Sequence, residues 1–355
     1  MEVTFECSRI PILSSMTIFE KKKYEELLFE VGRKNHPTEI IYLACLSRGI
    51  SSKNSVLNYY IHQKDSEEFK TFCKFTDHCF NEFNTQQFLL KELYETNFIE
   101  KLLKLTCDYR CNDSISDVIN TCSKMNDFDN VVQNAVRREI YMSRGTRMEN
   151  GIIDKLATLL AQNKRCHDDL PFTLEVTKCS EKMKRELPLF LQDDEHGNNR
   201  KIFIIGKTDV RYDVLDDTSQ EDEELPKVCY GEIKNRVSNR RWPPSKDNQL
   251  QVMFYMFLYE VNMMFLISNY PNGSIERNLL EWNGTLFKEA CDQLKTFTHR
   301  YFNDIEKIKK VMAENKKDVI PSDTEKKAIF LFIKDQTDKR NEEIQQNIKS
   351  ILKLL

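Results

Sequence analysis

The sequence predicts a mixed α/β core preceded by an all-helical N-terminal region, and three observations carry that expectation. Segments with apolar residues at helical spacing dominate residues 1 to about 130. Short strand-like runs then follow near 172–177, 201–214 and 227–234. A helical stretch and the apolar run Met263-Met-Phe-Leu-Ile267 close the central region. Helix, three strands, helix, strand is the order of a mixed sheet with helices available to cover it.

Composition sets the frame. At 355 residues the chain exceeds one typical domain. With only 9 Gly and 9 Pro, and 31% charged residues, it reads as a helix-rich soluble protein. The net charge of −3 carries no global basic signal, so any nucleic-acid surface has to be local. The 11 cysteines form no CxxC pair, and no basic segment followed by an apolar stretch opens the chain. Free thiols and an intracellular protein (cytoplasm or nucleus), without a secretion signal, are the expectation. Two groupings, Cys73/His78/Cys79 and Cys107/Cys111/Cys122, lie in helix-like sequence without knuckle spacing and read as small buried hydrophobes.

The elements follow in order. Tyr24–Val31, Glu39–Leu46 and Gln87–Tyr94 have helical periodicity, separated by polar breaks such as Ser51–Asn54 and Cys111–Ser114. Residues 1–130 are therefore expected to form a helical accessory domain. Val131–Met142 reads as a helix, Gly145 as a break, and Glu149–Leu160 as a second helix with Ile152, Ile153, Leu156, Leu159 and Leu160 on its apolar face. Phe172–Thr177 is a strand, and Asp216–Glu224 a solvated acidic loop between the next two strands. Leu250–Ser268, the longest apolar stretch, contains Gln251, Glu260 and Asn262, and reads as a helix (248–261) and core strand (263–270), not a membrane span. A helix at 285–312 ends the core, 131–312, and an amphipathic helical extension occupies 313–355.

Chemistry concentrates in the middle of the chain. Residues two apart on a strand face the same side, so Glu232 and Lys234 project together, and a buried strand has no structural need for two such charges. With Asp209 on the preceding strand they place two carboxylates and an amine at one sheet edge. That grouping can hold a divalent cation and activate water against a phosphodiester. Asp213 shares a strand face with Asp209 and is the rival ligand. The segment 234–246 carries Lys234, Arg236, Arg240, Arg241 and Lys246 with no acid. Its cations suit phosphates and Trp242 suits a stacked base; a solvated basic loop with Trp242 in the core is the alternative. Arg144 and Arg147 are further phosphate-contact candidates.

The motifs together resemble the PD-(D/E)XK nuclease superfamily, closest to its phage-type recombination exonucleases (lambda exonuclease and YqaJ-like) and RecB-like nucleases. Arg144-Gly145 followed by Glu149, then Gly206-x-x-Asp209, Glu232-x-Lys234 and a Gln-bearing helix match in order over about residues 135–310. The resemblance implies a restriction-endonuclease-like central sheet flanked by helices. It implies Mg²⁺ or Mn²⁺ held by Asp209, Glu232 and the Ile233 carbonyl, with Glu149 completing the shell. Lys234 would position and help deprotonate the attacking water. Gln249 fits the Gln-x-Gln arrangement of one branch, and Gln251 with Tyr255 the Gln-x-x-x-Tyr of the other; about 200° separates the two Gln on a helix, so one faces the site. Thr208 stands where the usual pattern has Pro, and only Cys291 follows the Gln helix, so no iron–sulfur cluster is expected. DNA is the expected partner, without a membrane; RNA, exo- or endonucleolytic action and oligomeric state stay open. A nucleic-acid-binding protein with a vestigial nuclease site is the alternative.

Overall fold

The computed structural model describes residues 1–14, 21–47, 49–63, 66–80, 90, 93–108, 115–120, 122, 125, 130–166, 172–188, 200–216, 228–238, 240, 243–315 and 320–352. In chain order the elements are β1 (Glu2–Glu6), α1 (Ile10–Leu13), α2 (Lys21–Asn35), α3 (Pro37–Ser47), α4 (Ser55–His62), α5 (Glu67–Phe80), α6 (Phe98–Asp108), α7 (Ile115–Asn120) and α8 (Asn130–Cys166). Then come β2 (Phe172–Lys178), β3 (Met183–Leu187), β4 (Lys201–Gly206), β5 (Val210–Asp216), β6 (Val228–Asn235), α9 (Lys246–Tyr259), β7 (Met263–Asn269), β8 (Ile275–Glu281), α10 (Gly284–Glu314) and α11 (Asp323–Leu352).

The fold is mixed α/β with two sheets. Strands β2-β5-β6-β7-β8 form the larger, antiparallel except for the parallel β6–β7 pair, and β1-β4-β3 form the smaller. Alternation along β6 and β7 splits two cores. Ile233 and Ile267 join Ile152, Ile153 and Leu156 of α8, with Val210 and Tyr212 of β5. Tyr230, Met264 and Leu266 face the other way, onto α9 and α10. The larger sheet is thus covered by helix on both faces. Helix α9 is buried nearly all round, and Ser245 caps its start by accepting from the Asn248 N–H at 3.3 Å.

The chain crosses between the sheets twice, and both crossings bear on the site. Residues 179–182 connect β2 to β3, and Lys207–Asp209 connect β4 to β5. They run side by side, the Cys179 N–H donating to the Asp209 carbonyl at 3.1 Å. Asp209 therefore stands at the entrance of β5, not at the end of a single strand running through 201–214.

The N-terminal region is not all-helical. β1 pairs parallel with β4, Glu2 opposite Lys201 through Glu6 opposite Ile205. Val3 and Phe5 are buried and their neighbours are not, a period of two that five residues carry too briefly to stand out among helical runs. Helices α2 and α3 pack on α10, where the Tyr24 hydroxyl donates to Asp304 Oδ2 at 2.8 Å and His36 meets the Tyr301 hydroxyl at 2.6 Å. Helices α4 and α5 share an apolar cluster with Ile329 and Ile333 of α11, and α6 and α7 share one with the first turns of α8.

Gly145 does not break α8, which runs 37 residues. A mid-helix glycine costs about 1 kcal/mol relative to alanine. Tertiary contact offsets it: the Asn235 side chain donates to the Gly145 carbonyl at 3.1 Å. Strands β3 and β8 were not anticipated; MKREL and IERNLLE lie at sheet edges and carry charges that mask their alternation. The acidic loop over 217–224 lies outside the described residues. Among the described residues no helix is long and apolar enough to cross a membrane.

Candidate active site

Asp209, Glu232, Lys234 and Gln251 converge where β5 leaves β6. The ladder between these strands ends at Val210 opposite Gly231. Ile233, two residues on, turns its backbone N–H and C=O toward the vacated side. Asp209 takes the N–H, its Oδ2 accepting at 2.7 Å. Glu232 and Lys234 project from the opposite face, toward α9. Lys234 Nζ donates to Glu232 Oε1 at 2.9 Å and to Gln251 Oε1 at 2.7 Å, and Gln251 Nε2 returns to Glu232 Oε1 at 2.9 Å. The three side chains form a closed triangle of hydrogen bonds.

Burial dominates its electrostatics. Glu232 is 5% exposed. Burial pushes its carboxyl up to about 8, against the pull of the Lys234 ammonium and with a further push from the Asp209 charge. Burial also raises Asp209, opposed by the Ile233 N–H and reinforced by Glu149. Glu232 Oε2 accepts no hydrogen bond, but the raised carboxyl holds a proton that the neighbouring Asp209 can accept, and that shared proton occupies the place a cation would take. Two desolvated carboxylates and a strand-edge carbonyl are hard oxygen donors of the kind Mg²⁺ and Mn²⁺ prefer. The donor set therefore fits such an ion, although no three His, Cys, Asp or Glu side chains among the described residues group to hold one. Glu149 is near enough to raise Asp209, but its carboxylate pairs with Lys178 at 2.9 Å.

The glutamine register resolves in favour of Gln251. Gln249 turns away and donates to the Pro244 carbonyl at 2.8 Å, fastening the loop before α9. One and two turns beyond Gln251, on the same helix face, stand Tyr255 and Tyr259. Tyr255 accepts from Gln251 Nε2 at 3.4 Å. Its ring lies so close over Gly206 that a Cβ there would meet it at 2.7 Å, which explains glycine at the head of Gly-x-x-Asp. Tyr259 is the residue sequence reasoning missed. Its hydroxyl accepts from the Thr208 N–H at 3.4 Å and donates to the Glu181 carbonyl at 2.8 Å, joining both inter-sheet crossings beside Asp209. The only signal is the four-residue spacing of Gln251, Tyr255 and Tyr259, a weak one because aromatic rings at that spacing also fill cores.

Other expected site residues lie elsewhere. Asp213 pairs with Arg211 at 2.7 Å and stands opposite Val228, four residues along β6 from Glu232 and so about 13 Å away, too far to share an ion with it. Arg144 is 2% exposed, and its guanidinium donates to the carbonyls of Thr106 at 3.2 Å and Arg236 at 3.4 Å; it braces the fold and is not open to a phosphate. Arg147 makes a two-pronged ion pair with Glu100 at 2.9 and 2.8 Å. Arg236 donates to Ser268 Oγ at 3.0 Å, and Lys246 approaches Glu289 at 3.4 Å. Arg240 is exposed. Arg241 and Trp242 lie outside the described residues.

No protein-family model matches the sequence, and no curated protein matches it. Among solved structures the chain is similar to the crystal structure of SSO0001, with 16% identity over 59% of this chain and 85% of that one. The TM-score is 0.28, too low to carry an argument.

Proposed function

We propose that the chain is a divalent-cation-dependent nuclease that hydrolyses phosphodiester bonds of DNA, on a restriction-endonuclease-like core of the PD-(D/E)XK kind. One observation carries the reading: a buried glutamate bonded to a lysine and a glutamine, beside a second desolvated carboxyl group at a strand edge. The order of β4, β5, β6, α9 and β7, and Glu232 and Lys234 on one strand face, agree with the resemblance of the motifs.

In this reading Asp209, Glu232 and the Ile233 carbonyl hold Mg²⁺ or Mn²⁺, and Glu149 is the outer carboxylate once it releases Lys178. The bound cation supplies Lewis acidity toward the phosphate and a more acidic water. Lys234, a quarter exposed, directs its amine at the attacking water and offsets negative charge growing on the phosphate oxygens. Gln251 fixes both ends of the Glu232–Lys234 pair. Tyr255 limits the freedom of Gln251, and Tyr259 holds the backbone on which Asp209 rides.

The test is incubation of the protein with end-labelled linear duplex, single strand, closed circular DNA and RNA of matching sequence, in Mg²⁺, Mn²⁺ or EDTA. The proposal expects DNA loss with the cations and none in EDTA; cutting of the circle would mark an endonuclease. Intact substrates throughout, or equal loss in EDTA, would overturn it.

A further inference from the structure

The arginines that the sequence offered for phosphate contact are largely engaged with the protein itself, which leaves open what grips a charged strand beside the carboxylates. A cavity of about 490 Å³ borders the site at Tyr255. Its wall carries Ser8 after β1, Ser180 and Lys182 from the β2–β3 crossing, and Lys207 from the β4–β5 crossing, all four exposed. Neither lysine has a carboxylate within ion-pair distance among the described residues. The one acid in the wall, Glu6, is held by Lys34 at 2.9 Å, which keeps its carboxyl below the usual range with smaller contributions from Lys182 and Arg9. Glu6 is therefore already compensated, and the cavity keeps two open cations and two hydroxyls.

The lysines come from positions 25 residues apart, on crossings joined through one atom. Tyr259 Oη takes the N–H of Thr208, next to Lys207, and donates to the carbonyl of Glu181, next to Lys182. The Cys179 N–H bond to the Asp209 carbonyl adds a second tie. Lys207 lies two residues before Asp209, about 7 Å along extended chain. The cationic wall and the carboxylate are thus parts of one braced unit, and both amines extend from it into solvent where a strand could lie.

We propose that Ser8, Ser180, Lys182 and Lys207 form a phosphate subsite that receives a second phosphate of the substrate strand, next to the one at Asp209 and Glu232. The site takes a dianionic or monoanionic phosphate ester. An internal phosphodiester and a terminal phosphate both present that chemistry. The identity of the ester as a nucleic-acid phosphate rests on the nuclease reading, whereas the anion site itself does not.

The experiment is fluorescence anisotropy in EDTA, so that no turnover occurs, with full-length wild type and the Lys182→Gln/Lys207→Gln double variant. Probes are labelled DNA duplexes bearing either a 5′-phosphate or a 5′-hydroxyl, titrated at several salt concentrations. Equal melting temperatures check folding, and both side chains are exposed. The proposal expects the double variant to bind at least 10-fold more weakly. Its plot of log affinity against log salt should be shallower by about 2, one counterion per lysine. A loss confined to the 5′-phosphate probe identifies a terminal phosphate; an equal loss on both identifies an internal one. Unchanged affinity and slope, or no wild-type binding to either probe, would overturn the subsite. Lysine-dependent binding without cation-dependent cleavage would leave the subsite standing and remove the nuclease reading.

Discussion

Replacing Glu232 by Gln should stabilise the cation-free protein at alkaline pH. The Glu232 carboxyl has an ordinary value of 4.5 in the unfolded chain and is raised to about 8 by burial in the folded one. Between those values the folded state binds a proton the unfolded state lacks, so stability falls as pH rises from about 5 through about 8. Each pH unit across that window is worth about 1.4 kcal/mol before relaxation, and about 3 kcal/mol is a reasonable net figure by pH 9. Gln keeps the shape, avoids the buried charge, and leaves Lys234 bonded to Gln251 and a quarter exposed to solvent. For 355 residues, with an unfolding entropy of about 2 cal/mol/K per residue, that free energy corresponds to about 4 °C. The assay is thermal unfolding of both proteins in EDTA from pH 5 to pH 9.5. The melting-temperature difference should be near zero at pH 5, grow in favour of Glu232→Gln, and level off above about pH 8. A difference independent of pH, or a variant less stable at pH 9, would refute the assignment of a desolvated, proton-binding carboxyl. Added Mn²⁺ should raise the melting temperature of wild type at pH 8 and have little effect on the variant.

Three further outcomes follow from the geometry. Gln251→Ala should lower the rate of DNA cleavage at least 10-fold, whereas Gln249→Ala, which loses only a bond to the Pro244 carbonyl, should leave it within about twofold; steady-state rates separate them. Tyr259→Phe keeps the ring contact with Tyr230 (centroids 4.3 Å apart) and removes one of the two ties between the crossings, the Cys179 N–H bond to the Asp209 carbonyl remaining, so the Mn²⁺ concentration for half-maximal activity should rise about 3-fold at little cost in saturated rate. Arg144→Leu should destabilise the fold by about 2 kcal/mol by orphaning two carbonyls, as measured by urea unfolding, while Arg147→Ala on the surface should barely move the midpoint.

The Glu232–Lys234 pairing was legible because strand periodicity is strict: two charges two apart on an otherwise apolar strand must share a face. The position of Asp209 beside them was legible in outline, but its stance at a sheet-to-sheet crossing was not, since nothing local distinguishes a strand end from a strand that changes sheets. The choice between Gln249 and Gln251 needs the rotational phase of α9, and a helix buried nearly all round has no amphipathic stripe to reveal it. Arg144 and Arg147 show a different limit. Their charge is visible in the sequence, while their partners at Thr106, Arg236 and Glu100 are set by tertiary packing over 38 to 92 residues. Lys182 and Lys207 went unnoticed for the converse reason: each is an ordinary surface lysine until the two crossings meet.

The central claim is that Lys234 and its carboxylate neighbours perform cation-dependent hydrolysis. Its most direct test compares wild type with Lys234→Ala on end-labelled duplex DNA in saturating Mn²⁺, with circular dichroism confirming that both are folded. The account predicts measurable wild-type cleavage and a loss of at least 100-fold in the variant. Cleavage by the folded variant at the wild-type rate would contradict it.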